Sequence, residues 1–215
     1  VLGAATVICT DKTGTLTKNE MTVRSLFANG SFFTVTGEGY AAAGTILKDE
    51  QEVTDAADKK ALDLLLTTGV LCNTSRLTRD PATGAVEIAG DPTETALLVL
   101  AEKGGPGPRE VREKFPCGHE LPFDSVRKMM TVICHVDGHE RAFVKGAPEI
   151  LLLRCDRILL GGTERPLADR DREQVNAAIR RMGSGALRVL AFAYRDIGTG
   201  EQEGIESQLV FTGLA

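Results

Sequence analysis

Asp11 stands where an apolar, β-branched run, Thr6 to Thr10, gives way to Lys12-Thr13-Gly14-Thr15. Such a run reads as a short buried strand, so the carboxylate sits at a strand's carboxyl end with a turn of hydroxyl residues and Gly behind it. An open α/β site presents a nucleophile to a phosphoryl group in this way, with turn N–H groups and a divalent cation taking up the developing charge. Lys145 has a complementary character. It closes a predicted strand and is followed by Gly146, a cation beside bare backbone that a flat base or a phosphate can approach closely. An anion needs a local positive cluster on this chain, because 25 Lys and Arg against 30 Asp and Glu leave a net charge of −5.

These residues need elements to hold them. Asn29-Gly30, between Met21 to Ala28 and Ser31 to Thr36, predicts a hairpin. Asp137-Gly138 predicts a second, from Arg127 to Val136 and from His139 to Lys145. Counting back from that turn pairs Val136 with His139, Cys134 with Arg141, Val132 with Phe143 and Met130 with Lys145, and places Lys128 on the face of Lys145. Leu62, Leu65, Leu66 and Gly69 mark an amphipathic helix within Asp55 to Cys72. Asp91-Pro92-Thr93-Glu94 opens another that runs to about Lys103, with Glu94 placed to complete a capping box. Gly104 to Pro108 reads as a surface loop. Pro148 opens a short helix to about Cys155, and Asp169 caps one whose apolar side is Val175, Ala178, Ile179 and Met182. Leu187 to Arg195 and Leu209 to Gly213 finish as strands.

Hairpins with helices between them imply an α+β fold, an antiparallel sheet flanked by helices. The two chain ends are the exception. A strand at each, neither with a local partner, would pair in one separate parallel sheet if the middle of the chain is an insertion.

Composition narrows the function classes. The acidic balance gives no overall attraction to nucleic acid or anionic lipid, and no apolar run approaches the ~18 residues of a membrane span. Five scattered cysteines without a C-x-x-C pair argue against a disulfide framework and a zinc site, and for a reducing, cytosolic setting. No G-x-x-x-x-G-K-[ST] loop is present, which excludes a P-loop enzyme.

Asp11-Lys12-Thr13-Gly14-Thr15-Leu16-Thr17 resembles the DKTGTLT signature of the P-type ATPases. Gly90-Asp91-Pro92-Thr93-Glu94-Thr95-Ala96-Leu97-Leu98, Pro122-Phe123-Asp124-Ser125-Val126-Arg127-Lys128-Met129-Met130, Lys145-Gly146-Ala147-Pro148-Glu149 and Leu187-Arg188-Val189-Leu190-Ala191 resemble later segments of that family in the same order. The resemblance implies that Asp11 is the residue phosphorylated by ATP and that Asp11 and Thr13 contribute to a Mg²⁺ site. It implies further that Glu94 contacts the adenine amino group, that Phe123 stacks on the ring, and that Lys128, Lys145, Gly146, Ala147 and Arg188 line the rest of the nucleotide site. One departure is Ser125, where animal calcium pumps have an Arg, so that phosphate contact does not carry over.

The resemblance also sets expectations for the whole. Residues 1–19 would be the first segment of a phosphorylation domain of the haloacid-dehalogenase-like α/β type. Residues 20–205 would be a nucleotide-binding domain inserted into it, and residues 206–215 a return strand. The cofactors implied are ATP and Mg²⁺. The partners are the remaining phosphorylation, actuator and transmembrane domains of a cation pump at the cytoplasmic face of a membrane, the ion being calcium by analogy. This piece itself would touch neither membrane nor nucleic acid. The superfamily's phosphatases carry an acid/base Asp two positions after the nucleophile. Thr13 there favours a lasting aspartyl phosphate over the alternatives, a phosphatase or a stand-alone nucleotide-binding module.

Overall fold

A computed structural model of the chain describes residues 20–80, 86–185, 187–198 and 204–215. Strands β1 (Ser25–Ala28) and β2 (Ser31–Val35) form the first predicted hairpin, with Asn29 and Gly30 both at positive φ. β3 (Ile46–Lys48) and β4 (Gln51–Glu52) continue the antiparallel run. Helix α1 (Ala56–Leu71) starts where the Asp55 carboxylate accepts from the Asp58 N–H, and α2 (Pro92–Gly104) where that of Asp91 accepts from Thr93 and Glu94. Between them β5 (Arg76–Arg79) and β6 (Val86–Ala89) make a separate two-stranded ribbon.

The second half carries the larger hairpins. β7 (Cys117–Asp124), β8 (Met129–Val136) and β9 (His139–Gly146) form a meander, and all four pairings counted from the Asp137-Gly138 turn occur. α4 (Pro148–Arg154), β10 (Cys155–Leu160), β11 (Thr163–Pro166), α5 (Asp169–Ser184), β12 (Ala191–Ile197) and β13 (Leu209–Leu214) complete the order. A helix not anticipated, α3 (Pro108–Lys114), lies within the segment that follows the glycines at 104–107. Its proline at the first position is a good helix opener that the surrounding glycines obscured. At α5 the cap residue is Ala168 rather than Asp169. The Asp171 carboxylate reaches back to the Ala168 N–H at 3.0 Å and also binds Arg165, so the end is secured from inside the helix.

Nine strands run in the order β4-β3-β2-β1-β13-β12-β9-β8-β7, with β10 and β11 branching from β13. One edge of β13 pairs along its length with β12. The other is shared, its first half running parallel to β10 and its last residues antiparallel to β1. The stretch expected as a return strand, residues 206–215, carries β13, which joins the two halves of this sheet. The partner expected for it, residues 1–19, lies outside the described residues, as do Asp11 and Thr13. Leu187–Leu190 also falls short of the expected strand, although Leu190 exchanges two backbone hydrogen bonds with Ala215.

Helices cover both faces. Leu62, Leu65 and Leu66 of α1 and Leu97, Leu98 and Leu100 of α2 pack with Phe143 and Phe192 on one side. Leu151 of α4 and Val175, Ala178 and Met182 of α5 pack with Val144 and Phe211 on the other. The expectation of unpaired cysteines also fails at one place. Cys117 and Cys134, adjacent across β7 and β8, are joined by a disulfide, a pairing set by strand register rather than by spacing along the chain.

Because β13 is enclosed on both faces, its glycine is tightly fitted. A Cβ at Gly213 would lie 2.5 Å from the Phe27 carbonyl oxygen and 2.7 Å from Leu65 Cδ1. Leu65 can turn, but the carbonyl belongs to β1 and cannot yield without moving that strand. Gly213→Ala is expected to destabilise the fold by roughly 1–3 kcal/mol, read as a lower midpoint in urea unfolding at an unchanged slope.

Candidate functional site

The end of β9 and the first turn of α2 meet at one buried ion pair. Lys145 Nζ lies 2.8 Å from Glu94 Oε1, and the two side chains are only 8% and 15% exposed. Register explains why a lysine is here. Lys145 sits between Met130 and Phe192 on the face that carries α1 and α2, and the Asp91 cap puts Glu94 one turn inside α2, directed at that face.

Glu94 is not the capping-box acid that its spacing suggested. Asp91 alone caps the helix, and the second Glu94 oxygen, Oε2, accepts from Thr74 N and Thr74 Oγ1 at 2.8 Å each and from Ser75 N at 3.2 Å. The turn after α1 is in turn braced by Asn73, whose side-chain amide donates to the Gly69 and Glu94 carbonyls. Arg112 of α3 donates to the Asn73 and Ser75 carbonyls. Sequence reasoning missed this turn, although three small polar residues ending a helix are a turn signal. Burial by itself raises the Glu94 pKa, but the hydrogen bond and charge of Lys145 and the donors of Thr74 outweigh it and hold the carboxyl below its ordinary value. Cys72 lies beneath, its thiol donating to the Phe143 carbonyl and pushed up by burial to about 12, so it is a packed core group and not a nucleophile.

Arg188 approaches the same turn of α2, its Nη1 donating to Thr93 Oγ1 at 3.2 Å. Two of the three predicted cations thus converge on consecutive residues of one helix. The third does not. Lys128 leaves the extended conformation at φ 53°, so the alternation that assigned it to the face of Lys145 stops before reaching it. Its ammonium lies 3.8 Å from Glu149 of α4 instead. At Gly146 the space a side chain would occupy is filled by Met129 Cγ, at 2.6 Å, and by the Lys128 carbonyl, at 2.7 Å from the Cβ position. That carbonyl accepts from Ala147 N, so the glycine lets β8 close against the end of β9.

Phe123 is 60% exposed, unusual for a large apolar ring. The β7–β8 register skips between Leu121, opposite Thr131, and Asp124, opposite Met129, so Pro122 and Phe123 together face Met130, and Met130 faces Lys145. Two strand spacings, about 10 Å, separate the ring's strand from that of the buried cation. An open aromatic surface on one side, with a lysine, an arginine and a helix N-terminus on the other, can take a ligand that is flat at one end and anionic at the other. Among the described residues no cluster of His, Cys, Asp and Glu could hold a metal ion, and no helix is long and apolar enough to cross a membrane.

A family model described as P-type ATPase, cytoplasmic domain N, matches residues 61–215. The chain is similar to a calcium-transporting ATPase of Bacillus subtilis, at 39% identity over all of this chain and 24% of the relative. Calcium-transporting ATPase 1 of Lactococcus lactis is 37% identical over all of this chain and 22% of its own length. The mouse calcium-transporting ATPase type 2C member 2 is 35% identical over 99% of this chain and 21% of its own length. The chain therefore spans less than a quarter of these relatives.

The Glu94 carboxyl has a lowered folded pKa, so the stability it lends is present above its ordinary value of 4.5 and is lost as pH falls through the lowered folded value. Glu94→Gln is expected to flatten that acid limb in unfolding measurements made from pH 7 down to pH 3. Glu94→Ala, which strands the Lys145 ammonium, is expected to cost roughly 2–4 kcal/mol at pH 7.

Proposed function

This chain belongs to the P-type ATPases, and from that premise we propose that it holds the ATP that drives such a pump. The single observation carrying the proposal is the buried Lys145–Glu94 pair at the end of the cross-strand row whose outer strand exposes Phe123. In this reading Phe123 supplies the stacking surface for adenine. Glu94 reads the exocyclic amine with the acceptor capacity left on its carboxylate, while orienting Lys145. Lys145 and Arg188 face the phosphates, with Lys128, Gly146 and Ala147 at the margin of the site.

Residues 1–19 belong, in the same proposal, to a phosphorylation domain of haloacid-dehalogenase-like type, and the nucleotide domain runs from residue 20 through β13. The Asp11 carboxylate attacks the terminal phosphorus, the bond to the bridging oxygen breaks, and ADP departs carrying that charge. Mg²⁺ held by Asp11 and Thr13 would neutralise charge on the transferring group. Water later cleaves the aspartyl phosphate, and the cycle moves a cation, calcium, through a membrane part whose cytoplasmic side this domain occupies. The names of the relatives and the family match support the reading.

Titration of the chain with ATP, ADP and AMP, followed by amide resonances, tests the site. Signals of Glu94, Phe123 and Gly146 should move together. Phe123→Ala should weaken all three nucleotides by about tenfold, as expected for loss of one base–aromatic stack. Arg188→Ala, at an exposed side chain, should weaken ATP more than AMP. Unmoved resonances at millimolar ATP would sink the proposal.

A further inference from the structure

An exposed ring is not positioned by packing, so something must fix the backbone that carries it. β7 is the outermost described strand on its side of the sheet, and the ladder to β8 is interrupted at Pro122-Phe123, where Pro122 has no N–H to give. What meets this gap is Arg127. Its Nη2 donates to the Pro122 carbonyl at 2.5 Å, and its Nη1 donates to Glu206 Oε1. The Asp124 carboxylate accepts from the Val126 and Arg127 N–H groups and folds the intervening turn.

Glu206 belongs to the segment leading into β13 and is itself well held. The same Oε1 accepts from Thr131 Oγ1 at 2.6 Å, on the face of β8 opposite Met130. Its turn is gripped by Arg195 of β12, whose Nη1 donates to the Gly204 and Ser207 carbonyls at 2.7 and 3.1 Å. Arg195 is 8% exposed, Glu206 14% and Arg127 31%, so the inner contacts are shielded from water, while the last one, to the Pro122 carbonyl, lies at the surface. It runs from a central strand to the residue beside Phe123.

We propose that Glu206 and Arg127 are positioning residues for nucleotide binding: the Glu206–Arg127 pair struts the Pro122 carbonyl and so presets the stacking surface of Phe123. The idea rests on the nucleotide site proposed above. A guanidinium suits the task because its planar fork spans two acceptors at once, which an ammonium on a flexible stem does not do. Presetting the ring removes an ordering cost that binding would otherwise bear.

The test uses the 215-residue chain with ATP and AMP as probes. In Glu206→Ala and Arg127→Met the Phe123 resonances of the nucleotide-free protein should shift or broaden while that of Val210 in the core stays put. Both nucleotides should weaken by the same factor, about fivefold, because the defect lies at the base. In a Phe123→Ala background neither change should weaken binding further. Arg127→Lys, which keeps the charge but not the fork, should behave like Arg127→Met, and it stands in if Glu206→Ala fails to fold. Unchanged Phe123 signals, or losses that multiply in the double variants, overturn the strut. Wild-type chain that binds no adenine nucleotide removes the site and the strut together. Wild type that binds, with Phe123→Ala harmful and Glu206→Ala neutral, removes the strut alone.

Discussion

One strand holds two half-sheets together. β1 to β4 reach the β7–β8–β9–β12 half only through β13, all six residues of which are buried, with α1 on one face and α4 on the other. The row Asp124, Met129, Gly146, Ala191, Leu214, Phe27 crosses the sheet from its outer strand to β1 without a break. Every separation that matters at the site is measured along such rows. The closeness of β1 to β13, for which Gly213 leaves room, is thus a constraint on the whole molecule and not a local accommodation.

Charge is arranged to the same end. A buried ammonium loses its solvation and is unfavourable unless a carboxylate meets it, and α2 delivers one. Burying both ions costs solvation, and the return is orientation more than stability. Lys145 keeps a fixed bearing at the end of β9, and Glu94 is anchored through its other oxygen to the turn at 74–75. Asp91 experiences the same neighbourhood. Burial raises its carboxyl, but the Thr93 hydroxyl and N–H, the Glu94 N–H and the Arg188 charge together hold it below the ordinary range. The first turn of α2 is therefore a junction between the cap, the buried pair and the exposed arginine.

Local chemistry was legible in the sequence, and long-range chemistry was not. Asn29-Gly30 and Asp137-Gly138 specified their hairpins because a two-residue turn fixes register, and the cap at Asp91 specified where α2 begins. Lys145 was placed on the correct face by counting alone. Lys128 was not, because a single residue at positive φ ends the alternation on which counting depends. The partners of Glu94, 19 to 51 residues distant, and of Arg127, 79 residues distant, carry no periodic signal. Nor does the place of β13, whose apolar run would suit the middle of any sheet. The motif resemblance supplied the list of residues proposed for the nucleotide site. The physics of how they are held came only from the fold.

The outer strand β7 has a consequence for the molecule among other molecules. An eight-residue strand exposed at nearly every position, with no described neighbour on its far side, is a template on which another chain could add by hydrogen bonding. Several features blunt it: two irregularities in its register, the Cys117–Cys134 link, the charges of Glu120 and Asp124, and Pro122, which cannot donate to a new ladder. The interruption that turns Phe123 outward therefore also discourages self-association.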